Sequence, residues 1–307
     1  MQDKNWQNWT QTAPAVITAN GGLGEYSISF SDYYYDNDTA AIILKNFEMQ
    51  QPVNPVDDIF GVNIYYNGDW SKNYWKRLTF DCDGDKLENS KWTVRKDELR
   101  SWNEHAIKVK DGNLIITFSK VGEKLMCGGI TTEGKFEQSH GLFEIRFKVD
   151  EISGMWYAFW LMDNNNNDAH INGSASDAAE IDIFEIVPHP NPENKWMGGD
   201  NYFKTVINYD SYAEGHPVYF SERAPDVNDD FYSKWHTVLF LWGKENYELY
   251  IDGKLQYVIA GKDAGGMCEG TNHIILSSEC TGFGGILDET MMPASFTVDY
   301  VKVYSEK

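Results

Sequence analysis

The chain has 307 residues, enough for one large domain or for one domain with a small extension, and too few for two full-sized domains. Its 26 Lys and Arg against 47 Asp and Glu give a formal charge of −21, a field that repels phosphate backbones and anionic lipid and argues against nucleic acid and membrane insertion. Aromatics make up 15% of the chain, which excludes a disordered sequence and supplies flat apolar faces either to a β-core or to a sugar-binding cleft.

The start, Met1-Gln2-Asp3-Lys4-Asn5, has no apolar run, and no stretch of about 18 apolar residues follows. Neither a leader nor a membrane span is visible, and a chain that begins after a cleavage site would look the same. Residues 1–75 have a texture of their own, with Tyr33-Tyr34-Tyr35, the Pro-containing stretch Gln51 to Val56 and strand-like runs at Glu25 to Phe30 and Gly61 to Tyr66. They read as a β-rich N-terminal extension, with a small separate module as the alternative, and residues 76–307 read as the main domain.

Beyond residue 76 helical periodicity is scarce. Short alternating or apolar runs recur at Asn113 to Phe118, Gly141 to Val149, Trp235 to Trp242, Tyr247 to Ile251 and Phe296 to Tyr304. Many short strands separated by turn signals indicate an all-β sandwich of antiparallel sheets. Asp111-Gly112 and Asp252-Gly253 are hairpin turns of the Asp-Gly type, so each joins antiparallel neighbours. The polar run Asp163 to Asp168, continued to Ala179, reads as a long solvated loop. Cys82, Cys127, Cys268 and Cys280 lack the spacing of a zinc site. Reduced structural thiols are the default reading, with a Cys268–Cys280 bridge as the alternative.

The most informative segment is Ala179-Glu-Ile-Asp-Ile-Phe-Glu-Ile-Val187, β-prone yet interrupted by three carboxylates. Side chains alternate along a strand, so Glu180 and Asp182 share one face and Ile181 and Ile183 the other. Glu185 breaks the parity. A β-bulge between Asp182 and Glu185 would return Glu185 to the face of the other two acids. Glu180 and Glu185 would then lie four strand rises apart, about 13 Å between Cα atoms, and side chains leaning toward each other would leave the carboxyl groups about 5 Å apart. A retaining glycosidase has that spacing, with one carboxylate as nucleophile and the other as acid/base, whereas an inverting enzyme needs about 6.5 to 9.5 Å. A solvated sheet face with clustered charges is the bland alternative, but three like charges on one face repel and call for a functional reason.

Glu180-Ile-Asp-Ile-Phe-Glu185 resembles the signature of glycoside hydrolase family 16, the laminarinase and lichenase-like enzymes, in its bulged form. Flanking segments agree: Leu78 to Asp81 with Ser90 to Val94, Gly129 to Thr132 with His140 to Glu144, Gly154 to Trp160, and Val298 to Val303. The resemblance implies a jelly-roll sandwich whose concave face is an open groove for a polysaccharide. Glu180 would be the nucleophile, Glu185 the acid/base and Asp182 the residue that tunes both. It also implies a secreted or cell-surface protein, expected to be a monomer, with no cofactor needed for catalysis and a structural calcium to which Asp299 would contribute. Tyr157, His140 and Asn208 depart from the family pattern, which bears on the sugar bound. The expected activity is endo-cleavage of β-1,3- or mixed β-1,3/1,4-glucan. The alternatives are an endo-β-galactosidase on galactose-containing glycans, a transglycosylase, and a non-catalytic carbohydrate-binding jelly roll.

For the substrate contacts, Trp156 and Trp160 share one side of a strand-like segment and are candidate sugar platforms. Trp102 and Trp196 stand in polar stretches and are further candidates, as are His140, Glu144 and Asn208. Trp235, Trp242, His236 and His273 read as structural.

Overall fold

The computed structural model describes residues 16–18, 25–36, 41–49, 74–81, 86–97, 100–164, 173–190, 202–210, 218–224, 227, 229–280 and 284–306. The chain divides into two compact units, residues 1–75 and 76–306. In the first, strands β1 (Val16–Thr18), β2 (Glu25–Asp36) and β3 (Ala41–Met49) form an antiparallel sheet in that order. The run Gly61 to Tyr66 lies outside the described residues.

The second unit is a jelly-roll sandwich of two antiparallel sheets. In one, the order is β15 (Val218–Arg223), β14 (Tyr202–Tyr209), β13 (Glu180–Val187), β12 (Trp156–Asp163), β19 (Asn272–Glu279), β9 (Gly128–Thr131), β5 (Thr93–Arg95), with β10 (Glu137–Gln138) also on β19. We call this the acid sheet. In the other, the order is β18 (Lys254–Ala260), β17 (Asn246–Ile251), β16 (His236–Trp242), β11 (Gly141–Val149), β20 (Ala294–Glu306), β7 (Asn113–Val121), β6 (Ile107–Lys110). There β4 (Tyr74–Asp81) also pairs with β20, and β8 (Lys124–Met126) with β7. Among the described residues no helix is long and apolar enough to cross a membrane.

Period-two patterning builds these strands. In β7, Leu114, Ile116 and Phe118 are fully buried while their neighbours are partly exposed. Both Asp-Gly turns form the expected hairpins: Asp111 and Gly112 take φ of 51° and 74°, and Asp252 and Gly253 take 49° and 78°, the left-handed values that such turns require. The polar run ahead of β13 departs from the expected solvated loop at its far end. Ala175, Ala178 and Ala179 are buried, and Ala175 N–H donates to the Gly265 carbonyl at 2.9 Å. These small apolar side chains dock where a solvated loop would have kept polar ones.

An aromatic cluster locks the sandwich beneath the acid sheet. Phe184 of β13 stacks on Phe147 of β11 at 4.6 Å between ring centroids, and Phe203, Phe159 and Phe296 surround it at 5.4, 5.9 and 6.3 Å. Phe184 and its neighbour Ile183 both enter the core, which a regular strand cannot do. The ladder shows why: register shifts between Asp182 and Glu185 against β14, and between Phe159 and Trp160 against β12. This is a β-bulge, and the chain has equipped it. The Ile183 carbonyl, released from the ladder, accepts the Thr205 hydroxyl at 2.7 Å, and Thr205 is in turn hydrogen-bonded to Tyr257 Oη. Thr205→Val keeps the shape and removes the donor. We expect it to lower stability by about 1 to 3 kcal/mol, the cost of a buried carbonyl left unpaired. Chemical denaturation measures this, and an unchanged midpoint would show that the carbonyl is satisfied otherwise.

Candidate active site

The bulge decides where the acids point. Glu180, Asp182 and Glu185 lie opposite Met162, Trp160 and Ala158 of β12, three residues in strict alternation, so all three acids share the outer face of the sheet. On the other side they lie opposite Asn208, Val206 and Lys204 of β14. Five sequence steps therefore cover four rises, and Glu180 and Glu185 are about 13 Å apart at Cα. Asp182 and Glu185 are 6% and 5% exposed, so their carboxyl groups sit in the sheet surface with little water around them.

Asn208 holds the row together. Its side-chain amide donates to Glu180 Oε1 at 3.0 Å and to Asp182 Oδ2 at 3.1 Å, bridging the two acids on the strand beside them. Burial, reinforced by the charges of Glu180, Glu185 and Glu279, pushes Asp182 well above the usual carboxylate range, against the pull of the Asn208 hydrogen bond. The central acid thus holds its proton more readily than an isolated aspartate, which eases the repulsion along the row.

Toward β5 the same face continues through Trp160 and Trp102. Trp160 Nε1 donates to Ser277 Oγ at 3.1 Å, and Trp102 Nε1 to the Ser278 carbonyl at 3.2 Å. The Arg95 guanidinium lies 4.8 Å from the Trp102 ring and 5.7 Å from the Trp160 ring, and Arg100 lies 5.2 Å from Trp102. Arg100 also binds both carboxylate oxygens of Glu279 at 2.8 Å, opposing the burial that raises Glu279. At the end of the row Trp156, half-buried, stands opposite Glu279 on β19.

The model of the Glycosyl hydrolases family 16 matches residues 95–302. The chain belongs to this family. A keratan-sulfate endo-1,4-beta-galactosidase of Sphingobacterium multivorum is 24% identical over 234 residues, 71% of this chain and 52% of that protein. The endo-1,3-1,4-beta-glycanase EglC of Rhizobium meliloti is 25% identical over 253 residues, 78% of this chain and 48% of that one. The chain therefore spans about half the length of these curated relatives. Among solved structures, the laminarinase from Flavobacterium sp. UMI-01 superposes with a TM-score of 0.59 at 23% identity, covering 75% of this chain and all of that one. The shared family 16 fold is the jelly roll.

Of the residues singled out in the sequence, Glu180, Asp182, Glu185, Asn208, Trp156 and Trp160 come to one face. Others do not fit the roles expected of them. Trp102 is 4% exposed, its ring against Gly129 and beside two guanidinium groups, so it is a buried wall and not an open platform. Trp160 is 8% exposed, under Arg95. It too forms floor and not platform. Glu144 belongs to β11 in the opposite sheet, buried and accepting from Tyr300 Oη at 2.7 Å. His140 precedes β11 of the opposite sheet, stacks on Trp242 at 5.3 Å and faces Glu269 at 3.9 Å. Trp196 and Cys82 lie outside the described residues. Cys127, Cys268 and Cys280 are free thiols, so the Cys268–Cys280 bridge is not formed.

The calcium expected at Asp299 finds no support in its donor set. The Asp299 carboxylate is engaged by the Arg146 guanidinium, and no group of three metal-ligating side chains occurs among the described residues. Sequence reading missed Arg95, Arg100, Thr205, Lys204 and Arg223. Of these Lys204 was within reach, because the alternation of Phe203, Thr205 and Ile207 into the core leaves Lys204, Val206 and Asn208 outward by parity.

The raised Asp182 has a thermodynamic consequence. An acid whose pKa is higher in the folded state binds more protons there than in the unfolded chain, so stability falls as pH rises from about 3.9 through the folded-state value. Asp182→Asn keeps the Asn208 contact and cannot ionise. We expect its melting temperature to match the parent near pH 3 and to exceed it near pH 7, with turnover reduced. A variant equally or less stable at pH 7 would show that Asp182 is not strained by ionisation.

Proposed function

We propose that this chain is a retaining, endo-acting glycoside hydrolase that cleaves internal β-linkages of a polysaccharide lying across the acid sheet. The observation that carries the reading is the bulged strand β13, which sets Glu180, Asp182 and Glu185 on one face about four rises apart. Membership of family 16 supports the same chemistry.

In the first step the Glu180 carboxylate attacks the anomeric carbon as Glu185 protonates the departing glycosidic oxygen. A covalent glycosyl-enzyme forms and the C–O bond of the linkage breaks. In the second, Glu185, now a carboxylate, takes a proton from water, whose oxygen attacks the same carbon and frees Glu180. Asn208 fixes the Oε1 of the nucleophile, and Asp182, raised by burial and by its neighbours' charges, holds a proton more readily than an isolated aspartate, which eases the repulsion beside both acids. A non-catalytic carbohydrate-binding role has no need of a row of three acids held by its own amide bridge and bulge lock.

Among the relatives, a glucan endo-1,3-beta-glucosidase of Niallia circulans accords with the glucan reading and the keratan-sulfate endo-1,4-beta-galactosidase with the galactose-containing alternative. A polymer substrate is met outside the cell, which supports a secreted or cell-surface enzyme, and we take it to act as a monomer. Trp156, half-buried at the end of the row, is the platform on which a pyranose would stack.

The test is a polysaccharide panel (laminarin, barley β-glucan, agarose, carrageenan and poly-lactosamine glycans) with product sizing. Glu180→Gln should abolish turnover and keep binding; activity within about tenfold of the parent contradicts the assignment. Glu185→Ala should be rescued by azide on an activated aryl glycoside, yielding the β-azide. Trp156→Ala should raise the KM for polymer several-fold without moving the pH profile, because stacking is indifferent to protonation. A variant that instead unfolds, with affinity unchanged in the folded fraction, would make Trp156 a structural residue.

A further inference from the structure

Toward β5, the cross-strand row that starts at Glu185 runs Glu185, Ala158, Ser277, Gly129, Arg95, one residue from each of β13, β12, β19, β9 and β5. It is perpendicular to the strands, the direction in which a polymer would cross the sheet. Three small residues separate the acid from the arginine. Strands are about 4.8 Å apart, so Arg95 lies about 19 Å from Glu185 at Cα. Its side chain reaches back along the row: the guanidinium carbon is 4.8 Å from the centre of the Trp102 ring and 5.7 Å from that of Trp160, which belongs to β12 beside the acid strand. Gly129 makes room for it. A Cβ there would lie 3.4 Å from the Trp102 ring that the guanidinium covers.

The hydrogen-bonding capacity of this arginine is unused. A guanidinium carries its N–H donors in one plane, so stacking on an aromatic ring occupies its face and leaves the rim of donors in place. Among the described residues the Arg95 side chain, partly exposed, forms no hydrogen bond and no ion pair, and its Nη1 is buried without a partner. Arg100, which covers the same Trp102 ring, is committed instead to Glu279 and Asp97. Glu133, Glu279 and Asp97 lie near enough to Arg95 to offset the burial of its charge, with Arg100 opposing them. Countercharge is therefore present, and what Arg95 lacks is an acceptor at hydrogen-bond distance. A charged donor left unpaired in a half-buried position is costly and calls for a reason.

We infer that Arg95 is a substrate-binding residue: its rim of donors takes the hydroxyl oxygens of a neutral sugar unit lying on the β9 and β5 side of the cleaved linkage, and Trp102 and Trp160 are the bed that holds the guanidinium flat. The inference rests on the hydrolase reading for the direction of the polymer and for the role of Glu185. It gives the two buried tryptophans a function that does not require them to touch the sugar. Neutrality of the bound unit follows from the surroundings. A sulfate ester or a uronate carboxylate at this position would join Glu133, Glu279 and Asp97 around two guanidinium groups, whereas adjacent hydroxyls accept two N–H groups without adding charge.

The experiment compares the full chain with Arg95→Met, which keeps the length and removes every donor, and with Arg95→Lys, which keeps the charge and removes the fork. Affinity electrophoresis in the Glu180→Gln background reads binding of each polymer of the panel, and reducing-end release from the active protein reads kcat and KM. We expect Arg95→Met to weaken binding of the accepted polymer about tenfold or more and to raise its KM alike, with kcat within about threefold and Arg95→Lys in between. A short activated aryl glycoside, which spans only the cleaved bond, should be turned over by Arg95→Met within about twofold of the parent, whereas a structural defect lowers both substrates together. Polymer binding by Arg95→Met within about twofold of the parent overturns the proposal, as does an equal loss on long and short substrates. Carrageenan against its desulfated form tests the neutrality of the unit: a preference for the sulfated member that vanishes in Arg95→Met contradicts it. Polymer binding that depends on Arg95 without cleavage of any polymer would keep the subsite and defeat the hydrolase reading. Should Arg95→Met fail to fold, Arg95→Lys decides the matter, since a loss confined to the polymer supports the proposal and a loss on both substrates, or on neither, overturns it.

Discussion

A strand alternates its side chains with a period of two, and that parity is the constraint on which this site depends. Five regular steps from Glu180 would bury Glu185 in the sandwich core, where an unpaired carboxylate is costly. The bulge between Asp182 and Glu185 removes one step, and much of the surrounding structure serves to hold it. Phe184 is gripped from the opposite sheet by Phe147, and the freed carbonyl of Ile183 is taken by Thr205. Core packing and active-site geometry are therefore one feature seen from two faces of the same strand.

Bringing three acids onto one half-buried face creates an electrostatic problem that the neighbouring strands solve in different ways. Asn208 on β14 supplies two hydrogen bonds, one to each of two acids. Lys204 brings a cation opposite Glu185. Asp182 is pushed toward its neutral form by burial and by its neighbours, which eases the repulsion along the row. Farther out, Arg100 clamps Glu279, which would otherwise add a fourth negative charge to this face. None of these devices needs a metal ion, and Asp299, where one was expected, is engaged by Arg146.

The parts legible in the sequence were those governed by local rules. Strand runs such as Gly141 to Val149 and the two Asp-Gly turns follow from alternation and from the tolerance of glycine for positive φ. The bulge was legible because parity made it necessary. What local rules do not reach is partnership across distant segments. Trp102 sits in a polar stretch and reads as exposed, yet Ser278, 176 positions away, takes its indole N–H, and two arginines cover it. Glu144 keeps company with acids in the family-like segments, but its strand belongs to the other sheet and its partner is Tyr300. The cation pair at Lys204 and Arg223 exists only once β14 and β15 are in register.

The central claim is that the bulge brings Glu180 and Glu185 to the spacing of a double displacement. The most direct test is proton NMR of the reducing end released in the first minutes of cleavage of whichever polymer the enzyme accepts. The account predicts that the new end appears first as the β-anomer and then mutarotates to the equilibrium mixture. Initial appearance of the α-anomer would mean that water attacks directly, that the two carboxylates act at the wider spacing, and that the geometry assigned to the bulge is wrong.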